Sequence, residues 1–377
     1  VSGPLAAIRV LEIGHMLAGP YCGLLLADLG ADVIKIEPAS GDIARRVSPH
    51  SIGPHNAYFA SLNRNKRSVV IDLGTSGGQN QLHELCRTAH ALVVNLRPSA
   101  IVKLGLTYAA LQSVNPRLVC VALTGFGLAS PLAERPAYDY IIQAMTGIME
   151  LTGEPDAPPT KTGYSAVDNS AGMMSALGLL AKIIEGSGGQ IDVAMYDVML
   201  SQLNYLASAS LNAGEKMQRY AGSAHPYIVP AQVFPTRDGW LSLFITHDEF
   251  WRRFCEQVGQ AAWTVDERFA TMAARSANRD EVTLAIAAIL ATADTAEWLR
   301  RLTPVGVVAA GVESLEHALA SEQTSARQML VEIPTADGTI RGVGNPIRID
   351  GWQAEYRVPP LLGEHAALLL QTSSGGN

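Results

Sequence analysis

The sequence predicts an α/β fold: a Rossmann-like parallel sheet in a large domain, joined to a smaller α+β domain. Three observations carry this. Short continuous apolar runs recur through the N-terminal half, and helix-period segments separate them. After a Gly/Pro-bearing stretch near residue 220 the pattern changes to half-buried strands and amphipathic helices. At 377 residues the chain has room for two cores.

The elements follow in order. AIRVLEI (7–13) reads as a buried parallel strand, GHMLAGP (14–20) as a loop, and PYCGLLLADLG (20–30) as a helix that Pro20 can open and Gly30 ends. ADVIKIE (31–37), SVVIDL (68–73), ALVVN (91–95) and LVCVALTG (118–125) repeat the strand pattern, with QNQLHELCRTA and YAALQSV as helices between them. Such alternation implies right-handed crossovers in a parallel sheet. Residues 137–149 and 169–185 read as helices around a Pro/Gly-rich loop, followed by the strand QIDVAM and one long helix over 196–213. GEKMQRYAGSAHP reads as a linker. VPAQVFPTRDGWLSLFI is a strand pair about a TRDG turn, DEFWRRFCEQVG and 279–302 are helical, and IPTADGTIRGVGNP is a hairpin before a flexible SSGGN end, 373–377.

Composition narrows the function. The chain is 48% apolar and 17% charged, with a formal net charge of −7. That balance excludes a sequence-independent hold on nucleic acid, which needs a basic surface. The first residues lack the charged start and apolar core of a signal peptide, and no apolar run is long enough to span a bilayer, so a cytoplasmic protein without a membrane partner is expected. Cys22, Cys86, Cys120 and Cys255 are widely spaced and are expected as free thiols. The histidines show no HExxH or paired spacing, and no metal is expected.

The chemistry-bearing motifs begin at the opening βαβ. Glu37 closes its second strand where a ribose-binding acid would stand, but GHMLAG carries glycines at 14 and 19 only, so the dinucleotide fingerprint is missing. Arg64, Lys66 and Arg67 cluster at a strand entrance. Arg97, at a strand exit with Lys103 after it, is better placed for a phosphate, because ligands of open α/β sheets bind beyond the carboxyl ends of strands. In GYSAVDNSAGMMSALGLLAKI (163–183) a single carboxylate, Asp168, stands where a polar loop becomes an apolar helix. An N-cap and a nucleophile both fit, since each role uses an ionised carboxylate near a helix start.

Read together, RVLEIGHMLAGPYCGLLLADLGADVIKIEPASGD, NRNKRSVVIDL, NLRPSAIVKLGL, NPRLVCVALTGFG, RPAYDYIIQAMTGIMELTG, VDNSAGMMSALGLLAKI, GGQIDVAMYD, HPYIVPAQVFPTRDGW and LLGEH resemble, in this order, the family III CoA-transferases. The resemblance spans nearly the whole chain. It implies that Asp168 is the catalytic nucleophile, forming an aspartyl anhydride and then an aspartyl-CoA thioester. It also implies coenzyme A contacts at Met16, Leu17, Ala18, Asn95, Leu96, Arg97, Lys103, Tyr138 and Asp139. Beyond the substrate coenzyme A it implies no cofactor. It implies an interlinked homodimer as well, with a large domain over 1–212, a linker over 213–226, a small domain over 227–312, and residues 313–377 returning to the large domain. Acyl-CoA and a carboxylic acid are the expected substrates. A small dicarboxylate with succinyl-CoA as donor is the specific expectation, with His15, Arg45 and His247 as candidate substrate groups.

Two departures from the pattern stand out. Pro38 occupies the place of a nucleotide-binding arginine, which shifts that role to Arg64, Arg67 or Lys103. LSLFITHDEF lacks the glycine-rich loop that shields intermediates in formyl-CoA transferase. Helix-start amides near 169 and amides of the GHMLAG loop are candidate oxyanion donors. A racemase of the α-methylacyl-CoA type is the rival enzyme, but its GHD-like histidine position is held by Tyr138. A non-catalytic acyl-CoA-binding protein is the other alternative.

Overall fold

The computed structural model describes residues 3–371, and the expected flexible end at 373–377 lies outside them. The chain divides into two compact units, one formed by Val1–Thr146, Thr162–Ala209 and Glu322–Asn377, the other by Gly147–Lys161 and Ser210–Ser321. The divisions fall at 209/210 and 321/322, and loop 147–161 goes with the smaller unit. Loop 147–161 joins the smaller unit because Arg219 donates to the Ala157 carbonyl at 2.7 Å and Gly222 N–H donates to Glu154 at 3.0 Å.

The larger unit is built on a six-stranded, all-parallel sheet. Its strands are β1 (Arg9–Ile13), β2 (Asp32–Glu37), β3 (Arg67–Val70), β4 (Ala91–Val94), β5 (Val119–Thr124) and β6 (Gly189–Ala194), in the spatial order β3-β2-β1-β4-β5-β6. The order reverses at β1, so the crevice between the carboxyl ends of β1 and β4 is the topological switch point, where open α/β sheets bind ligands. Alternate residues face opposite sides of the sheet. Leu11, Ile13, Ile34, Ile36, Leu92 and Val94 pack on one face, while Val10, Val33, Ala91, Val93 and Val121 pack on the other. Burial of both faces accounts for the unbroken apolar runs in the sequence.

Three helices frame the switch point: α1 (Ala18–Asp28), α2 (Ala57–Asn63) and α3 (Ala166–Glu185). Helix α3 packs along α1, and Gly172 makes this approach possible. A Cβ there would lie 2.8 Å from the Ala18 carbonyl oxygen and 3.0 Å from Tyr21. The single helix expected over 196–213 is broken. Asn204 has φ of 22° and its Oδ1 accepts from the Tyr205 amide at 2.6 Å, leaving helices at Met195–Gln202 and Asn204–Ala213.

The returning segment includes an antiparallel hairpin, Leu330–Thr335 with Gly338–Val343, whose Ile333 and Ile340 pack on Ala60. The chain then runs along the outer strand β3. His365 N–H donates to the Ser68 carbonyl at 2.9 Å and Gly363 N–H to Ser68 Oγ at 3.0 Å. The smaller unit has a three-stranded antiparallel sheet in which Trp240–Phe244 lies between Ala231–Pro235 and Val308–Gly311. Its core includes Phe234, Leu243, Trp251, Phe254, Ile286 and Trp298. The third strand was not legible in the sequence, because VAAG is too short and too small to show a period. Among the described residues no single helix is long and apolar enough to cross a membrane.

Candidate active site

The loop after β1 is held from below by Asn95, the first residue beyond β4. Asn95 Oδ1 accepts from His15 N–H at 2.9 Å, and its Nδ2 donates to the His15 carbonyl at 3.1 Å. This explains the glycines of GHMLAG. A Cβ at Gly14 would meet Asn95 Oδ1 at 2.5 Å, and one at Gly19 would meet it at 2.8 Å. Both glycines make room for the Asn95 side chain, and neither belongs to a dinucleotide fingerprint. Between them Met16 takes a φ of 61°, a region costly for a residue with a long side chain. Its N–H donates to Asp42 Oδ1 at 3.1 Å.

Beneath this loop lies a buried ionic cluster. Glu12 and Lys35 are cross-strand partners of β1 and β2, and both are fully buried. Lys35 Nζ lies 2.8 Å from Glu12 Oε1 and 2.9 Å from Asp42 Oδ2, and it donates to the Gly14 carbonyl at 2.9 Å. Lys66 Nζ lies 2.7 Å from Glu12 Oε2 and donates to the Pro20 carbonyl at 2.7 Å and to Asn63 Oδ1 at 2.9 Å. Burial opposes charge on each group. For Glu12 the two ammoniums overcome it and hold the carboxyl below its usual range. For Lys35, burial is outweighed by Glu12 and Asp42, and its pKa is raised. For Lys66 burial wins over Glu12, and its pKa falls to about 8.

Asp168 occupies the third position of α3, so the cap reading is corrected: Ser165 is the N-cap, without a side-chain cap bond. The carboxylate that receives a first-turn amide is Asp139, whose Oδ1 accepts from Val167 N–H at 2.9 Å. Asp139 Oδ2 accepts from Gln143 at 2.7 Å, and Gln143 Oε1 accepts from Thr162 N–H at 3.0 Å. Asp168 itself is half-buried. It lies one helical turn before Gly172 and therefore on the same face, toward the start of α1. Tyr58, at the start of α2, is coupled to the same region. Burial raises its phenol pKa, and the negative charges of Asp168 and Asp42 raise it further.

Several expected residues lie in this crevice and others do not. Met16, Leu17 and Ala18 form the loop and the start of α1, while Asn95, Leu96 and exposed Arg97 follow β4. Lys103 is exposed at the end of the helix Pro98–Lys103. Tyr138 is 64% exposed and is the N-cap of the helix Asp139–Met145. Buried Asp139 serves α3 as described. His15 is exposed on the loop. Arg45 is a strut: it bonds Glu37 at 2.7 and 2.8 Å, donates to the Pro360 carbonyl at 3.1 Å, and lies 3.7 Å over the Phe59 ring.

Two of the three proposed substitutes for an arginine at position 38 are also engaged. Arg64 is buried against Asp28 at 2.6 Å, and Arg67 pairs with Asp32 at the opposite end of the sheet. His247 belongs to the smaller unit, where it is the N-cap of Asp248–Gln257 beside Phe250. Several of the amides expected as oxyanion donors are committed as well: Ala166 to the Tyr164 carbonyl at 3.0 Å, Asn169 to the Ser165 carbonyl at 3.1 Å, and His15 and Met16 to Asn95 and Asp42.

Sequence reasoning missed Glu12, Lys35, Asp42 and Tyr58. The signal for the first two was present, since each is a charged residue inside an otherwise apolar strand run. Among the described residues, no group of three or more His, Cys, Asp or Glu side chains is arranged to hold a metal ion.

Residues 5–366 match the model of CoA-transferase family III. The chain belongs to that family. It is 40% identical to the succinate–glutarate CoA-transferase of Agrobacterium fabrum, over 97% of this chain and 95% of the relative. It is 35% identical to the acetyl-CoA:oxalate CoA-transferase of Acetobacter aceti, over 97% and 95%. Among solved structures, a CAIB/BAIF family protein of Brucella suis superposes with a TM-score of 0.85 at 34% identity, covering 99% of this chain and 100% of that one. As a family III member the chain is a CoA-transferase, and coenzyme A is part of its substrate.

Proposed function

We propose that this enzyme moves coenzyme A from succinyl-CoA to a small dicarboxylic acid, with Asp168 as the nucleophile. The observation that carries the reading is the half-buried Asp168 carboxylate on the face of α3 that meets the start of α1, beside the switch-point crevice. The dicarboxylate class is supported by the two relatives, whose names specify glutarate and oxalate as substrates.

The steps balance without a redox agent. The Asp168 carboxylate attacks the donor thioester carbonyl, expels the coenzyme A thiolate, and becomes a mixed anhydride. The thiolate attacks the aspartyl carbonyl, which releases the donor as a carboxylate and leaves an aspartyl-CoA thioester. The acceptor carboxylate attacks that thioester and again expels the thiolate. The thiolate finally takes the acceptor acyl group and frees Asp168. In this reading, coenzyme A lies along Met16, Leu17 and Ala18 and past Asn95, Leu96, Arg97 and Lys103, with Tyr138 nearby. Orphan amides in the first turn of α1 are the remaining candidates to stabilise an oxyanion. His15 is kept as a candidate for the acceptor's second carboxylate. A homodimer, interlinked as the family resemblance implies, and a cytoplasmic location complete the proposal.

The test is intact-protein mass spectrometry after incubation with succinyl-CoA, acetyl-CoA and an aromatic acyl-CoA. A coenzyme A-sized adduct in the wild type, absent from Asp168→Ala and removed by hydroxylamine, is expected with succinyl-CoA. An adduct retained by Asp168→Ala would overturn the nucleophile. Transfer confined to monocarboxylic acids would overturn the substrate class.

A further inference from the structure

We infer that Lys35 and Asp42 are positioning residues that hold Gly14–Pro20, the loop after β1 together with the first turn of α1, in its coenzyme A-binding shape before the coenzyme arrives. The inference rests on the reading that this loop receives coenzyme A.

The loop is tied at three points, each leading to the same buried cluster. At its start, Lys35 Nζ holds the Gly14 carbonyl at 2.9 Å. At its middle, Asp42 Oδ1 holds the Met16 amide at 3.1 Å, while Asp42 Oδ2 rests 2.9 Å from Lys35. At its end, Lys66 holds the Pro20 carbonyl at 2.7 Å and returns through Glu12 to Lys35, with contacts of 2.7 and 2.8 Å. One continuous chain of charges therefore spans the loop. It restrains Met16 in a left-handed conformation that a residue with a long side chain keeps only when its surroundings fix it.

Stability alone is a poor reason for this arrangement. A buried ionic cluster gains little or nothing over well-packed apolar residues of the same volume, because desolvation offsets the attraction. Apolar residues at 12 and 35 would also continue the strand pattern around them. What apolar residues could not do is hold two backbone carbonyls and an amide of the loop in fixed directions. Asn95 adds the fourth tie through His15.

The experiment compares wild type, Asp42→Asn and Lys35→Met by calorimetric titration with free coenzyme A, alongside kcat and KM for acyl-CoA and for the acceptor acid. Asp42→Asn keeps the side chain's size but removes the charge beside Lys35 and places an N–H against either the Met16 amide or the Lys35 ammonium. Each variant is expected to weaken coenzyme A binding roughly tenfold to a hundredfold, to raise the acyl-CoA KM in step, and to leave the acceptor KM unchanged. Coenzyme A affinity equal to wild type in folded Asp42→Asn would overturn the inference, as would an equal rise in both KM values. A wild type that does not bind coenzyme A at all would instead remove the underlying reading of the loop.

A second measurement needs no variant. In wild type without ligand, the His15 and Met16 amides should be protected from hydrogen exchange, and free exchange at both would overturn preorganisation.

Discussion

Asp139→Asn separates two roles for one residue. The family resemblance assigns Asp139 to coenzyme A, whereas the structure buries its carboxylate between the Val167 amide and the Gln143 amide group, at 2.9 and 2.7 Å. An asparagine can accept from only one of these donors, and its NH2 must face the other. Gln143 cannot turn over to relieve the clash, because its Oε1 already accepts from Thr162 N–H at 3.0 Å. Loss of a carboxylate at a helix N-terminus costs about 1 kcal/mol, and a buried donor left unpaired costs about 1–3 kcal/mol. The larger unit should therefore lose about 2–4 kcal/mol in urea unfolding. Because Asp168 follows Val167 directly, kcat should fall as well, while the dissociation constant for coenzyme A stays near the wild-type value. Unchanged stability with weakened coenzyme A binding would refute the capping argument and restore the contact role.

Two further outcomes follow from the same geometry. Gly172→Ala should destabilise by about 1–2 kcal/mol, overpacking outweighing the gain in helix propensity, since its Cβ would meet the Ala18 carbonyl oxygen at 2.8 Å. Gly178→Ala on the same helix should raise the melting temperature, because its nearest neighbour is an Ile191 side-chain atom at 3.6 Å; the reverse order of melting temperatures would count against the α1–α3 packing described. Lys66 gives a signed pH dependence: burial brings its folded pKa to about 8, below the ordinary lysine value, despite Glu12 and with Lys35 beside it. Between that pKa and the unfolded value the unfolded chain binds the extra proton, so this contribution to stability grows as pH rises. Wild type should therefore gain stability relative to Lys66→Met between pH ~8 and ~10, read by urea unfolding, and a relative loss would show that Lys66 is held charged.

The parallel sheet was legible because its central strands, β1, β4 and β5, are buried on both faces and read as largely apolar runs. The break at Asn204 was not legible, since it depends on a local side-chain bond to the next amide that competes with helix in an otherwise helical sequence. Asp168 could be singled out as the one carboxylate entering an apolar helix, but not its position within the first turn. That position depends on Asp139, which lies far away in sequence and whose capping bond forms only in the fold. Arg45, Arg64 and Arg67 looked available as cations. Asp28 and Asp32 are brought to Arg64 and Arg67 by helix α1 and by strand order, information that no local window contains, whereas Glu37 pairs with Arg45 across the short connection after β2.

The missing dinucleotide fingerprint also acquires a physical meaning. In a glycine-rich turn of the fingerprint type, backbone amides face the ligand's phosphates. Here the amides of His15 and Met16 are turned to Asn95 and Asp42, and the two glycines make room for Asn95. The loop therefore uses these amides to fix its own shape and cannot offer them to a pyrophosphate. In the proposed coenzyme A site, phosphate charge that the first-turn amides of α1 do not meet therefore falls to side chains. Among the basic residues considered for that role, Arg64 and Arg67 are bound to carboxylates, whereas Arg97 and Lys103 are exposed on the segment that leaves β4 beside the loop. The proposed coenzyme A site therefore places phosphate recognition on Arg97 and Lys103 rather than on the His15 and Met16 amides. That arrangement suits coenzyme A, whose phosphates must be held while its long arm carries the thiol to a carboxylate.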